Sequence, residues 1–300
     1  MSAVGLGPIS MRATGSKGSE RLRSGVRLFF SIREGLIGSV VLGAILLLVI
    51  VGPHVAPYDP NAIGTQVMAN WSAEHLLGTD TYGRDVLSRV LNGGGSVILL
   101  PLAGIALSAS VATPIALSSG YLGGKVDLAI GRVLDAGLAI PSYLTAIVVI
   151  SGFGTNDLVL VVVVAVVYAP SMARVLRGAT QAVAPKDFVL AAKARGESRA
   201  YILSREVLPN IAPTLLVEVA IRLTYAIIFV ATLSYLGLGV QPPSSNWGVM
   251  VSENRAMLLL HPVIVIIPAI LIALLAISIN LIADALTRVF GDRIVDPVMM

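Results

Sequence analysis

The sequence predicts an all-α integral membrane protein with six transmembrane helices and both termini in the cytoplasm. Three observations lead there. The 300 residues are 56% hydrophobic and only 13% charged, with a mean hydropathy of +0.87, whereas a soluble domain carries about 25% charged residues. Six apolar runs approach the roughly 20 residues that a helix needs to cross the hydrocarbon core. Lys and Arg fall overwhelmingly on one alternate set of the segments between those runs.

Residues 1–34 form a polar, basic tail with scattered Gly and Ser. The first apolar run, 35–52, is GLIGSVVLGAILLLVIVG. It is too long for the apolar core of a signal peptide and is read as an uncleaved span. An outer segment follows at 53–94, then a core of five further spans within 95–290, and a short tail at 291–300. The five spans are expected near 97–119, 128–152, 158–173, 211–236 and 262–286. The fourth span of the chain, rich in valine, disfavours helix in water, but a bilayer leaves an isolated segment no other way to satisfy its backbone. Small residues crowd LAGIALSASVATPIALSS at 102–119, as helices that approach closely in lipid require. Pro114, Pro141 and Pro170 are placed to bend or break their helices.

Seventeen of the 21 basic residues fall on one side: six in the tail, Lys125 and Arg132, seven between Arg174 and Arg205, and Arg288 and Arg293. Arg84, Arg89 and Arg255 fall on the other side, and Arg222 within a span. Retention of positive charge makes the richer side cytoplasmic. The segments 53–94 and 237–261 therefore face outward. This distribution accounts for the pI of about 9.5 without a polyanionic partner. Aromatic residues make up 5%, too few for a nucleic-acid stacking surface, and the absence of cysteine excludes disulfides and thiolate metal sites.

No motif carries catalytic chemistry. GYLGGKV at 120–126 is one residue short of a phosphate-binding loop and has Val126 where a hydroxyl must bind the metal. His54, His75 and His261 are far apart, and no zinc motif occurs. Gly94, Gly95 and Ser96 resemble a nucleophile turn only loosely, and no histidine in a span supplies the base an intramembrane protease needs. Ionisable residues within spans are candidates for a translocation path: Asp135, Glu218, Arg222 and the more peripheral Asp284. Glu218 and Arg222 share a helix face and can pair, either as a self-neutralised couple or as a lining for a zwitterionic solute. An ion-coupled secondary transporter could use such acids, although no two-fold internal repeat is apparent.

The segment FVLAAKARGESRAYILSREVLPNIAP at 188–213 is polar and basic between two apolar runs. Phe188, Ala191, Ala192 and Arg195 fall at helical spacing, and Gly196 is placed as a left-handed cap. Ser198 can cap a second short helix, with Pro209 and Pro213 bracketing the lead into the fifth span. Two short helices at an angle are expected, with alanines keeping the surface shallow for a partner groove. A helix pair lying on anionic lipid would have the same composition.

Here the chain resembles the cytoplasmic coupling motif of ABC importer permeases: Leu190-Ala191-Ala192, Gly196 and Val207-Leu208-Pro209, with Leu190 where the family usually has Glu. HLLGTDTYGRDVLSR at 75–89, GGKVDLAIGRVLDAGLAIP at 123–141, LSYLGLGVQPPSSNWG at 233–248 and GDRIVDP at 291–297 resemble blocks of the dipeptide/oligopeptide/nickel permeases in family order, most of all the C-type, second permease of the peptide systems. The resemblance implies a type I importer permease bundle. This chain would form half of a path for peptides, beside a second homologous permease, cytoplasmic ATPase subunits and an extracytoplasmic solute-binding protein. Nickel or haem is the alternative cargo within the family. Phe188, Leu190, Ala191, Ala192, Arg195, Gly196, Val207, Leu208 and Pro209 would meet the ATPase. Asp80, Gly83, Arg84, Asp85, Pro242, Pro243 and Trp247 would meet the binding protein. No cofactor is implied in this chain, since ATP and Mg would bind the ATPase subunits.

Overall fold

The computed structural model describes residues 27–295, with side chains to 290. The tail expected at 1–34 lies outside them as far as residue 26, as do the last five residues of the tail expected at 291–300. Helix α1 (Arg33–Val55) crosses first. An irregular segment leads to α2 (Val86–Asn92), which runs on into α3 (Gly94–Leu122). Next come α4 (Gly124–Ala139) and α5 (Ser142–Phe153), which meet at an 84° bend, and then α6 (Asp157–Val183). The short α7 (Asp187–Ala194), α8 (Leu208–Tyr235), the short α9 (Trp247–Asn254) and α10 (Val263–Val295) complete the described chain.

Five helical stretches are long and apolar enough to span a bilayer, or six if the bent pair counts as one. The run expected at 128–152 is the bent pair. Pro141 lies at the bend, where its ring cannot continue the α4 hydrogen bonding. Pro114 and Pro170 remain inside α3 and α6. The expected outer segment at 53–94 is partly helical, since α2 occupies its end. Asp85 starts α2 by accepting the Ser88 N–H at 2.7 Å.

Small residues set the interhelical distances. A Cβ on Gly104 of α3 would lie 2.4 Å from Val164 Cγ1 of α6, and one on Gly120 would lie 2.7 Å from Thr180 Cβ. The two helices thus touch at points 16 residues apart along α3. A core between α3, α5, α6 and α8 contains Ile105, Ala146, Leu160, Met172 and Leu233. A second core joins α1, α2, α9 and α10 around Ile45, Val90, Trp247 and Leu275. The antiparallel α1 and α10 are also tied by Arg288 Nη2 to Glu34 Oε1 at 2.9 Å.

Candidate functional site

A third and smaller core, formed by Leu117, Val183, Val189, Ala192, Ile202, Val207 and Ile211, seats an elbow beneath the bundle. Its first limb is α7, with Asp187 complementing the positive helix start. Val189 and Ala192 point inward and are fully buried, with Phe188 half-buried beside them. Leu190, Ala191, Lys193, Ala194 and Arg195 are exposed. Gly196, at a φ of +78°, ends the helix. Its N–H donates to Lys193 O at 3.0 Å, and that of Glu197 donates to Ala192 O at 3.2 Å, the paired bonds of a Schellman cap. Ser198 Oγ accepts the Tyr201 N–H at 3.2 Å and starts the second limb.

That second limb is not a separate short helix. A helical turn at Arg199–Tyr201 passes through a wider π-helical stretch at Ile202–Val207 directly into α8. Pro209 follows the π-helical stretch directly, in the first turn of α8, and Pro213 lies farther in. The elbow is braced on both limbs. The Lys193 ammonium lies 4.6 Å from the Tyr121 ring centre at the end of α3. Arg195 reaches Glu197 and Glu206, each at 3.7 Å, across the glycine turn.

Among the residues expected at this contact, Leu190, Ala191, Arg195, Gly196 and Pro209 are exposed. Phe188 and Leu208 are half-buried, while Ala192 and Val207 are interior. Ala192 therefore belongs to the elbow's own core, because its position on α7 places it in the cluster with Leu117 and Ile211 rather than on the exposed face. Val189, which fixes that seating, was not singled out by the sequence. Its apolar character next to Phe188 and Leu190 was the available signal.

Sequence reasoning also missed a polar clamp above the elbow. Asp127 near the start of α4 accepts from Arg177 Nε at 2.5 Å and Arg177 Nη2 at 2.7 Å, and both donors belong to α6. Ser119 Oγ of α3 donates to the same carboxylate at 2.6 Å, and Gln181 Nε2 of α6 does so at 3.1 Å. One carboxylate thus joins three helices. Eight residues along α4, Asp135 pairs with Arg174 of α6. Glu218 and Arg222 pair within α8 at 2.6 Å, as their spacing predicts. Three of the four candidate path residues thus fall into two separate ion pairs, and the fourth, Asp284, is exposed.

Around α2 and α9, five of the seven residues expected to meet a binding protein lie below the surface. Arg84 Nε contacts Asp80 Oδ2 at 2.7 Å, and Arg84 Nη2 contacts Glu253 Oε2 at 2.7 Å. Arg89, fully buried, reaches Glu253 at 3.0 Å and Ser244 O at 3.1 Å. Asp85 caps α2 and meets His75 Nδ1 at 2.9 Å, and Gly83 is buried. Trp247 is fully buried and donates to Val90 O at 2.9 Å. These groups are consumed in stapling the segment before α2 to α9, since unpaired charges would not persist in that interior. Pro242 and Pro243 are exposed. Ser96 Oγ accepts from Asn246 Nδ2 at 2.8 Å and meets no base. Among the described residues no cluster of His, Asp or Glu could hold a metal.

Residues 112–296 match the family model for the binding-protein-dependent transport system inner membrane component. Residues 22–76 match the N-terminal TM domain of oligopeptide transport permease C. The chain is 35% identical over 256 residues to a probable D,D-dipeptide transport system permease of Escherichia coli strain K12, covering 85% of this chain and 86% of that one. It is 34% identical over 269 residues to a dipeptide transport system permease of Haemophilus influenzae, covering 87% and 91%. An oligopeptide transport system permease of the same organism is 30% identical, covering 87% and 85%. The fold is similar to that of a chain of the MetNI methionine ABC transporter in an inward-facing conformation, with a TM-score of 0.53 and 17% identity, covering 67% of this chain and 97% of the other.

Proposed function

The chain belongs to the family of binding-protein-dependent transport system inner membrane components, and from that premise we propose that it forms one half of the translocation path of an ATP-driven peptide importer. It is a multi-pass inner-membrane protein of the permease type. The relatives named for dipeptides and oligopeptides support peptides as the cargo. In this reading both termini are cytoplasmic and α4 with α5 counts as one of six spans. A second permease lies alongside, ATPase subunits hold ATP and Mg, and a solute-binding protein docks outside. The chain has no nucleotide motif, and its own part is mechanical rather than catalytic.

The elbow carries the proposal. A permease without an engine must receive work through a contact, and the contact must be stiff enough to transmit it. Val189 and Ala192 lock α7 to the bundle. Leu190, Ala191 and Arg195 lie exposed on the other side. The second limb runs unbroken into α8. Displacement of α7 by closing ATPases would therefore tilt α8 and drag α3 and α6, which share the elbow's core.

The absence of cysteine gives a direct test. Leu190→Cys or Ala191→Cys should crosslink to ATPase subunits in the assembled importer, with a yield that changes when ATP binds. Uptake by the complex driven by a proton gradient alone, with no crosslink from either position, would instead indicate a secondary carrier.

A further inference from the structure

The two tryptophans of this chain have opposite settings. Trp247 is fully buried, whereas Trp71 in the outer segment is 81% exposed. Around Trp71 the segment also exposes Ile63 and Leu76. The other outer connection exposes Leu259 at 94% and Leu260 at 73%. The two sets are neighbours, since one cavity of 280 Å³ is lined by Trp71, Leu76, Leu260 and Val263. Neither stretch, 60–73 or 256–263, contains Asp, Glu, Lys or Arg.

The height of this patch follows from α10. Residues 263–283 carry no charge, and the first ionisable group beyond them is Asp284, followed by Arg288 paired to Glu34. At 1.5 Å per residue that run spans about 31 Å, close to the roughly 30 Å hydrocarbon core. Val263 therefore marks the outer edge of the core, and Leu259, Leu260 and Trp71 stand at the headgroup level just above it. The adjoining α1 exposes Leu47, Ile50 and Val55 on its flank, so the patch continues a lipid-facing side. Tyr58 Oη, just past the end of α1, donates to Glu74 O at 2.9 Å and holds the segment there.

We infer that residues 60–73 and 256–263 form an interfacial foot that inserts Trp71, Leu259 and Leu260 into the outer-leaflet headgroup region. Trp favours that level because its ring is apolar and its N–H is polar. A protein docking there would find no charges for steering or register. With no cationic group in either stretch, the foot should accept zwitterionic lipid and show no preference for anionic headgroups. The inference rests on α10 spanning the membrane and on the proposed cytoplasmic termini, and not on the identity of the cargo.

Single cysteines at Trp71, Leu259, Tyr82 and Leu47, introduced into this cysteine-free chain, can be spin-labelled in the assembled importer in phosphatidylcholine nanodiscs without binding protein. The parent complex reports any label on other subunits. Tyr82, exposed on the stapled segment before α2, is the water reference, and Leu47, mid-span on α1, is the hydrocarbon reference. At Trp71→Cys and Leu259→Cys the ratio of oxygen to nickel-chelate accessibility should be several-fold above that at Tyr82→Cys and nearer to that at Leu47→Cys. A water-like ratio at either position, or shielding from both reagents by a protein neighbour, overturns the inference. Because this readout needs no transport, it can fail while the importer reading stands.

Discussion

Replacing Gly196 with alanine will weaken the grip of the ATPase subunits on the elbow by roughly 5- to 30-fold. The magnitude comes from the backbone alone. Gly196 has a φ of +78°, and nothing in the chain lies within 4 Å of an added Cβ. The added methyl meets no obstacle but forces an L-residue into the left-handed region, at about 1–2 kcal/mol. Relaxing that strain breaks the bonds from Gly196 and Glu197 to Lys193 O and Ala192 O, which set the angle between the two limbs. An elbow of the wrong angle fits its partner less well, and 1–2 kcal/mol corresponds to that factor of about 5–30. Asparagine tolerates the left-handed region better, so Gly196→Asn should lose less than Gly196→Ala. Gly196→Leu should lose about as much as Gly196→Ala. Titration of ATPase onto the permease pair in nanodiscs measures all three. A loss that grows with side-chain volume, asparagine included, would show that a partner surface closes on this position and would sink the turn-geometry argument.

Two other perturbations address the clamp and the staple. Asp127→Asn should lower uptake per ATP hydrolysed while leaving the complex assembled, and exchanging the charges of Asp127 and Arg177 should restore part of the ratio; an unchanged ratio in proteoliposomes would remove the clamp from the coupling route. Glu253→Ala leaves two buried guanidinium groups, Arg84 and Arg89, with Asp80 as their one remaining carboxylate and should destabilise the protein by about 3–5 kcal/mol, so an unaltered melting curve in detergent would refute the staple.

Signals contained within one or two helical turns were legible in the sequence. The Gly196 cap, the Ser198 cap and the Glu218–Arg222 pair each need only neighbouring residues, and each is present. The spans were legible because hydropathy is a property of single segments. Relations between segments were not. Asp127 and Arg177 are 50 positions apart, and Arg89 and Glu253 are 164 apart. Nothing local distinguishes such a charge from a solvated one, so the sequence did not show that Asp80, Arg84 and Asp85 of TDTYGRD are all interior. The inward face of α7 was also ambiguous. Over eight residues with apolar side chains at Phe188, Val189, Leu190, Ala191 and Ala192, helical spacing alone permits more than one buried stripe.

The sharp corner between α4 and α5 constrains what may stand beside it. It lies about 24 Å along from the start of α4, by the helical rise per residue, deep among the spans. A helix end leaves four carbonyls without internal partners, and the following start leaves its first amides equally bare. No side chain caps the start of α5. Oil cannot satisfy those dipoles. This flank of the subunit must therefore be turned toward another polypeptide or toward water, and away from fatty acyl chains.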